Sequence, residues 1–211
     1  DLFMTEKHAA RARLGLQADL PVLLVFGGSR GARSINRALV EALPDLLRVC
    51  QVVHVTGQTD WGESRGAAEA TLQQAVQRGQ LDNDALVRYH PYAYMHDMVH
   101  ALVAADLVVA RAGAATLGEF PAAKLPAVLA PYPYAGQHQD ANAHYLADRG
   151  AALVIPDKDL PARLKPVLLD LLRDPERLQS MSAAAYALAR PDAAANIAGE
   201  LLALGAGTRG K

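Results

Sequence analysis

From Pro21 onward, short apolar runs alternate with longer amphipathic segments, and this alternation constrains the fold more than any other feature of the sequence. A short apolar run suits a strand that is buried on both faces, whereas apolar residues at three- and four-residue spacing suit a helix that covers a sheet. Repeated strand–helix units of this kind form a parallel sheet. The predicted strands are Val22–Phe26, Gln51–Thr56, Ala85–Tyr89, Leu107–Ala110, Ala127–Ala130 and Ala151–Ile155.

The amphipathic segments between and after these strands predict the helices. They are Ser34–Leu47, Glu63–Arg78, Met95–Ala104, Ala114–Ala123, Gln137–Arg149, Pro161–Arg173, Pro175–Ala189 and Asp192–Leu204. We expect the last three helices to cover the flank of the sheet. The sequence therefore predicts an α/β fold, a Rossmann-like doubly wound parallel sheet of about six strands, within residues 21–204. Residues 1–20 are expected to form a linker arm with a short helix, Ala9–Leu16, and residues 205–211 a disordered tail.

Composition narrows the class of protein. The 211 residues, 51% of them hydrophobic, suffice for one α/β domain with a full core. A net charge of −1 without a dense basic run argues against nucleic-acid binding. No apolar run approaches the ~20 residues of a membrane-spanning helix, and no signal peptide is expected. The single cysteine, Cys50, fits a reducing compartment and is predicted to be a buried inert thiol.

The segment Arg111–Glu119 follows a predicted buried strand and is the first candidate for ligand binding. In doubly wound sheets, ligands bind outside the carboxyl ends of the strands. Small residues and a helix start leave backbone N–H groups unpaired there, and such groups favour an anion. Glu119, about one and a half turns into the helix, would accept hydrogen bonds from hydroxyls. An anion beside a diol suggests a nucleotide, although an ordinary strand-to-helix connection with a solvated Glu119 is equally consistent with the same residues.

The glycine-rich loop Gly27–Arg33 follows the first predicted strand, and three known motifs compete for it. A dinucleotide fingerprint would need glycine in place of Phe26 and an acidic residue at the end of the second strand, where the sequence reads His54-Val55-Thr56-Gly57. A P-loop would need Gly-Lys-Ser or Gly-Lys-Thr, which the loop lacks. Both motifs are therefore disfavoured, and NAD is not expected as a ligand.

The third motif is the nucleophile elbow of serine hydrolases, which Gly27-x-Ser29-x-Gly31 matches formally. Asp106 with His138 or His144 would keep the order of such a triad, but Asp106 precedes its strand and so belongs at the wrong end of the sheet. A phosphate cradle is favoured instead, because Arg30, Arg33 and the glycines would all serve one anionic ligand.

Two further loops at strand ends carry side chains suited to a nucleotide sugar. In His90–Met95, Tyr94 and Met95 would line a slot for a base, although packing of the tyrosines on the sheet edge is equally consistent. In Pro131–Asn142, the amides and His138 would bind sugar hydroxyls. His96 and His100 are four residues apart, but Glu does not follow His96, so we expect neither a metal site nor a cofactor.

Taken in order along the chain, these motifs resemble the carboxyl-terminal half of the MurG family. The motifs are Gly-Gly-Ser-Arg-Gly-Ala-Arg-Ser-Ile-Asn (27–36), Ala105–Val109, Arg111–Glu119, Pro126, His138-Gln139 and Asn142-Ala143. Members of that family transfer GlcNAc from UDP-GlcNAc to lipid I in peptidoglycan synthesis. The resemblance implies an inverting GT-B glycosyltransferase of two Rossmann-like domains. This chain would be the donor-binding domain, with the amino-terminal acceptor domain absent from it.

The resemblance also implies a role for each candidate residue. Ser29 would contact the donor diphosphate, the Met95 backbone would read uracil with Tyr94 against the ring, and Glu119 would bind the ribose hydroxyls. Gln139, with His138 and Asn142, would hold the GlcNAc hydroxyls. The full predicted substrate-binding set is Gly28, Ser29, Arg30, Tyr94, Met95, Gly113, Ala114, Ala115, Thr116, Leu117, Gly118, Glu119, His138, Gln139 and Asn142.

The resemblance places the remaining partners and the catalytic base outside this chain. Lipid I and the membrane surface would be contacted through the other domain, with the whole protein peripheral at the cytoplasmic face of the cell membrane. The chain alone would bind UDP-GlcNAc weakly and transfer nothing. The alternatives are another GT-B enzyme such as a UDP-GlcNAc 2-epimerase, a serine hydrolase using Ser29, and a non-catalytic nucleotide-sensing module.

Overall fold

A single parallel sheet organises the computed structural model, which describes residues 2–28, 31–134 and 138–207. Its six strands run in the order β3-β2-β1-β4-β5-β6, and every neighbouring pair is parallel. This order confirms the predicted Rossmann-like doubly wound fold. The strands are β1 Val22–Phe26, β2 Gln51–Val55, β3 Tyr89–Tyr92, β4 Leu107–Ala110, β5 Ala127–Leu129 and β6 Ala152–Val154.

Helices cover both faces of the sheet, because side chains alternate between the faces along each strand. The helices are α1 Lys7–Arg13, α2 Arg33–Leu46, α3 Trp61–Gln77, α4 Met98–Ala104, α5 Thr116–Ala122, α6 His138–Ala147, α7 Leu160–Leu172, α8 Pro175–Ala187 and α9 Ala193–Gly207. Leu23 and Val25 of β1 pack in one core cluster with α2, α3 and α7, while Val22 and Leu24 pack in the other with α1, α4, α5 and α6. Helix α8 contributes to both clusters. None of the helices in the described ranges is both long and apolar enough to cross a membrane.

The third strand begins later in the sequence than predicted. Asn83–Arg88 forms a 3₁₀ helix, and the strand begins only at Tyr89. A short apolar run does not distinguish a strand from a helical turn, and Val87 within it is 64% exposed. Pro91 then lies inside β3, at the edge of the sheet, where a missing backbone N–H is tolerated.

The final helix, α9, differs from its prediction in where it lies and in the residue at which it ends. We expected it to cover the flank of the sheet, but every residue from 191 to 205 is exposed, including Ile197, Leu201 and Leu202. The flank is already covered by α7, whose Leu164 and Leu168 are fully buried. The helix also continues to Gly207, into the predicted tail, and residues 208–211 lie outside the described part of the chain.

Cys50 is fully buried beside the start of β2. Burial raises the pKa of its thiol to about 12, so the thiolate is disfavoured at neutral pH. The predicted burial of this thiol is therefore confirmed.

Candidate functional site

The strand order reverses between β1 and β4, and this point positions the candidate site. The chain leaves β1 towards β2 on one side of the sheet and leaves β4 towards β5 on the other, so the two loops diverge. A crevice opens where such loops separate. A cleft of about 750 Å³ lies at this edge, bordered by the loops that follow β1, β4 and β5.

The glycine loop after β1 forms one wall and has a backbone that few other residues could adopt. Gly28 and Gly31 have φ values of +89° and +80°, in the left-handed region that favours glycine. A Cβ atom on Gly31 would lie 2.2 Å from the Thr56 carbonyl oxygen, so a side chain is also excluded by contact. Ser29 and Arg30, the predicted diphosphate contacts of this loop, lie outside the described residues.

The loop after β4 contains backbone donors without a partner among the described residues. Thr116 donates to the Gly113 carbonyl from its N–H at 3.1 Å and from Oγ1 at 2.6 Å, which closes the turn. Within the described residues, the N–H groups of Gly113, Ala114 and Ala115 donate to no protein acceptor. Asn142 of α6 braces the turn by donating from Nδ2 to the Ala112 carbonyl at 3.0 Å. Two of these residues, Gly113 and Ala115, line the cleft, and free backbone N–H groups at a cleft wall suit an anionic ligand.

Glu119 lies on the same wall, one turn into α5. Its carboxylate forms neither a hydrogen bond nor an ion pair with any described residue. Burial raises the pKa of this carboxyl from its ordinary value. A carboxylate with free oxygens is the acceptor that a pair of ribose hydroxyls requires.

Arg111, Ser34 and Asp157 form a network that the sequence analysis missed. Arg111 Nη1 lies 2.5 Å from Asp157 Oδ1, and Nη2 donates to Ser34 Oγ at 2.8 Å, while Ser34 donates to Asp157 at 2.7 Å. Arg111 also donates to the Ala130 carbonyl at 2.9 Å. The network joins the segments after β1, β4, β5 and β6, which are distant in sequence, and no local motif identifies it.

A second arginine at the cleft is paired in the same way. Arg33 donates from Nη2 and Nε to Asp60 Oδ1, at 3.1 and 3.2 Å. In the described part of the cleft wall, each arginine therefore has its charge opposed by an aspartate. Backbone N–H groups are among the uncommitted donors of this wall, so the backbone can bind an anion there.

The loop after β5 and the start of α6 close the cleft on its third side. Gln139 Oε1 accepts a hydrogen bond from the Tyr132 N–H at 2.9 Å, and the amide N–H₂ group donates to no described residue. Tyr132 and Tyr134 are 45% and 84% exposed on this wall, with ring centroids 5.5 Å apart. This wall therefore offers donors and flat apolar surface, which suit a sugar ring.

The predicted base slot lies at the end of β3. Tyr94 is exposed and packs edge-to-face on His96 with centroids 4.8 Å apart, whereas the Met95 side chain is buried in the core. The backbone N–H and C=O of Met95 make no hydrogen bond within the described residues. His90, Pro91 and Tyr92, which were predicted as part of this loop, instead belong to β3.

The structure thus brings part of the predicted set together at one cleft. Gly28, Gly113, Ala115, Thr116, Glu119 and Gln139 line it. Seven other predicted residues do not border the cleft, namely Tyr94, Met95, Ala114, Leu117, Gly118, His138 and Asn142. The remaining two, Ser29 and Arg30, lie outside the described residues.

Asp106, which a hydrolase triad would need near Ser29, lies at the opposite edge of the sheet. Its Oδ2 accepts hydrogen bonds from the N–H of Val22, the first residue of β1, at 2.7 Å and from Arg11 at 2.6 Å. The structure therefore provides no support for a triad through Asp106. The described residues contain no group of three or more His, Cys, Asp or Glu side chains placed to hold a metal ion.

Comparisons with known proteins give a consistent result. The model of the glycosyltransferase family 28 C-terminal domain matches residues 22–197. The UDP-N-acetylglucosamine--N-acetylmuramyl-(pentapeptide) pyrophosphoryl-undecaprenol N-acetylglucosamine transferase of Roseiflexus sp. (strain RS-1) is 44% identical over 94% of this chain and 47% of its own length. The crystal structure of Acinetobacter baumannii MurG matches 93% of this chain and 53% of that chain, with a TM-score of 0.72 and 29% identity.

A more distant structure shares the fold alone. The UDP-GlcNAc 2-epimerase from Neisseria meningitidis, bound to UDP-GlcNAc, has a TM-score of 0.62 at 14% identity, over 93% of this chain and 48% of that chain. The chain spans about half the length of the relatives that it matches.

Proposed function

The chain belongs to the glycosyltransferase family 28 C-terminal domain family, and from this premise we propose that it binds the UDP-GlcNAc donor of a MurG-type glycosyltransferase. The observation that carries the proposal is the wall formed by the β4 loop and α5. There, the backbone N–H groups of Gly113 and Ala115 and the Glu119 carboxylate have no partner among the described residues, at the edge of the sheet where nucleotides bind. A diphosphate next to a ribose matches that pair of features.

The proposed reaction is a direct displacement at C1 of GlcNAc by the 4-hydroxyl of the muramyl sugar of lipid I. UDP departs, so negative charge grows on the diphosphate, where the N–H groups of Gly113 to Ala115 would stabilise it. The same donors hold the diphosphate before reaction, which fits a site without a metal. The base and the lipid I contacts would belong to the remaining half of such an enzyme. That half would also contact the membrane, at its cytoplasmic face.

Nucleotide selectivity tests the proposal. A ligand at ten times its Kd stabilises a folded domain by about 1.4 kcal/mol, which raises the Tm of a domain of this size by about 3–5 °C. We expect that rise with UDP-GlcNAc and UDP, and a smaller one with UDP-GalNAc, GDP-mannose and NAD at equal concentration. Stabilisation by NAD or GDP-mannose but not by UDP-GlcNAc would contradict the proposal. Loss of UDP-GlcNAc to its C2 epimer in the same samples would identify an epimerase instead.

Replacing Glu119 with alanine tests the ribose contact. Hydrogen bonds to a charged group contribute about 1.5–3 kcal/mol, so UDP affinity should fall about ten- to hundredfold in calorimetry. With 2′,3′-dideoxy-UDP, which lacks both hydroxyls, wild type and variant should bind alike. Glu69→Ala is the control, because Glu69 is exposed on α3 and pairs with Arg65 outside the cleft. An equal loss of affinity for both ligands would exclude the ribose as the partner of Glu119.

A further inference from the structure

A chain of buried hydrogen bonds runs from β3 to the glycine loop. The Tyr89 hydroxyl lies 2.9 Å from His54 Nδ1, and His54 Nε2 lies 3.0 Å from Asn36 Oδ1. Asn36 Nδ2 then donates to the Thr56 carbonyl at 2.9 Å and to Asp60 Oδ2 at 3.3 Å. His54, Asn36 and Thr56 are almost completely buried. Buried polar groups of this kind are costly unless every one of them is paired.

In this series of hydrogen bonds, each group can act as donor or acceptor in only one way. The Thr56 carbonyl only accepts, so the Asn36 amide nitrogen must face it and Oδ1 must face His54. His54 therefore carries its proton on Nε2, and Nδ1 accepts from the Tyr89 hydroxyl. Burial lowers the pKa of His54 to about 3, so the ring stays neutral at physiological pH. A flipped Asn36 amide would place its oxygen against the Thr56 carbonyl and the Asp60 carboxylate. The series of hydrogen bonds therefore fixes the orientation of the amide.

Asn36 holds two segments that meet at the glycine loop. Its side chain fixes the Thr56 carbonyl, the atom that any Cβ on Gly31 would strike. Its backbone N–H donates to the carbonyl of Ala32, the residue that ends the loop, at 2.9 Å. The Thr56 carbonyl thus forms the back of the loop, and its position depends on one buried amide.

We propose that Asn36 is a positioning residue for the donor diphosphate. By holding the Thr56 carbonyl behind Gly31, it keeps Gly31 and Ala32, which line the cleft just before α2, in the backbone conformation that borders the diphosphate, without touching the ligand. The inference rests on the proposed function, because it requires that a nucleoside diphosphate occupy the cleft.

Asn36→Asp tests this role with almost no change of shape. Aspartate still accepts from His54, but it cannot donate to Thr56 and it repels that carbonyl and Asp60. We expect UDP affinity to fall at least tenfold in calorimetry, while the weak affinity for uridine, which lacks the diphosphate, is unchanged in ligand-observed NMR. A merely structural role would reduce both affinities by the same fraction.

Gln51→Glu is the matched control. Gln51 is also a fully buried amide, but at the amino end of β2, where it accepts from the Gln17 N–H and donates to the Gln17 carbonyl. The same change from amide to carboxylate should lower stability there and leave UDP affinity as in wild type. A fall in UDP affinity equal to that of Asn36→Asp would overturn the proposal.

A measurement on the wild-type chain keeps the test independent of how the variants fold. Saturating UDP should shift the backbone N–H resonances of Gly31 and Ala32, the cleft residues that Asn36 positions, in ¹⁵N-resolved NMR, and uridine should shift them less. Unshifted resonances with UDP bound would overturn the positioning role and leave the proposed function intact. Failure of the wild-type chain to bind UDP would instead refute the proposed function.

Discussion

Replacing Arg111 with methionine is expected to lower the free energy of unfolding by about 3 kcal/mol. Arg111 is only 10% exposed, and its partner Asp157 is 22% exposed. Methionine keeps most of the apolar stem but leaves the Asp157 carboxylate without its cation and the Ala130 carbonyl without that donor. Removing one member of a mostly buried ion pair is costly because the other charge stays desolvated. Urea unfolding monitored by circular dichroism measures the loss.

Arg65→Met is the control for this prediction. Arg65 and Glu69 are paired at four-residue spacing on α3, and both side chains are more than half exposed. Exposed pairs contribute little to stability, so this variant should unfold almost as wild type does. An Arg111→Met variant as stable as Arg65→Met would show that the Arg111 pair is effectively solvated.

A double variant identifies the cause of the loss. Arg111→Met with Asp157→Asn should be more stable than Arg111→Met alone, because the uncompensated charge is gone while Ser34 keeps a hydrogen-bond acceptor. If the double variant instead loses the sum of the stability losses of Arg111→Met and Asp157→Asn, poorer packing rather than the uncompensated charge destabilises Arg111→Met.

Arg111 and Arg33 each form an ion pair with an aspartate. These ion pairs affect how strongly the two arginines would attract an anion in the cleft. A cationic side chain that is already held by a carboxylate gives little net attraction to an anion. Backbone N–H groups have no such competitor, and their direction is fixed by the turn that Thr116 closes. The ion pairs therefore join loops around the cleft, and in the proposed complex the backbone donors would bind the anion.

Much of the fold was predictable because its signals are local. Alternating apolar runs and amphipathic segments located all six strands, with one displaced, and the order of motifs indicated the family that the comparisons confirm. Gly31 could be anticipated as a tight loop position, because glycine tolerates the left-handed backbone that a sharp strand-to-helix turn requires. The cleft residues of the Arg111–Glu119 segment followed from the same local reasoning.

The missed residues are those whose roles depend on distant partners. Asp157 contacts Ser34, 123 positions earlier in the chain, and Asn36 contacts Asp60, so neither pair forms a sequence motif. Asn36 stands in the middle of a predicted amphipathic helix, where its burial cannot be read from the helix alone. The predicted position of β3 was wrong because a 3₁₀ helix satisfies the same apolar pattern as a short strand.

The buried histidine leads to a prediction for acid stability. The pKa of His54 is about 3 in the folded chain, against 6.5 for an unperturbed histidine. Between these values the unfolded chain binds a proton that the folded chain does not, so stability falls as pH decreases from about 6.5 to about 3. The slope from this one group approaches about 1.4 kcal/mol per pH unit, which makes it the largest pH effect that we expect.

Comparing wild type with His54→Gln isolates this effect. Glutamine does not titrate and still offers an amide donor to Asn36 Oδ1, so the variant should be less stable at pH 7.5 but lose less stability on acidification. Urea unfolding at pH 7.5, 6.5, 5.5 and 4.5 gives both curves. Burial also lowers the pKa of His90 and raises that of Glu119, but both contributions cancel in the difference between the two proteins. Parallel curves, or a His54 ring that titrates near pH 6.5 by NMR, would show that protons reach His54 in the folded state. The hydrogen-bond chain would then not fix the Asn36 amide.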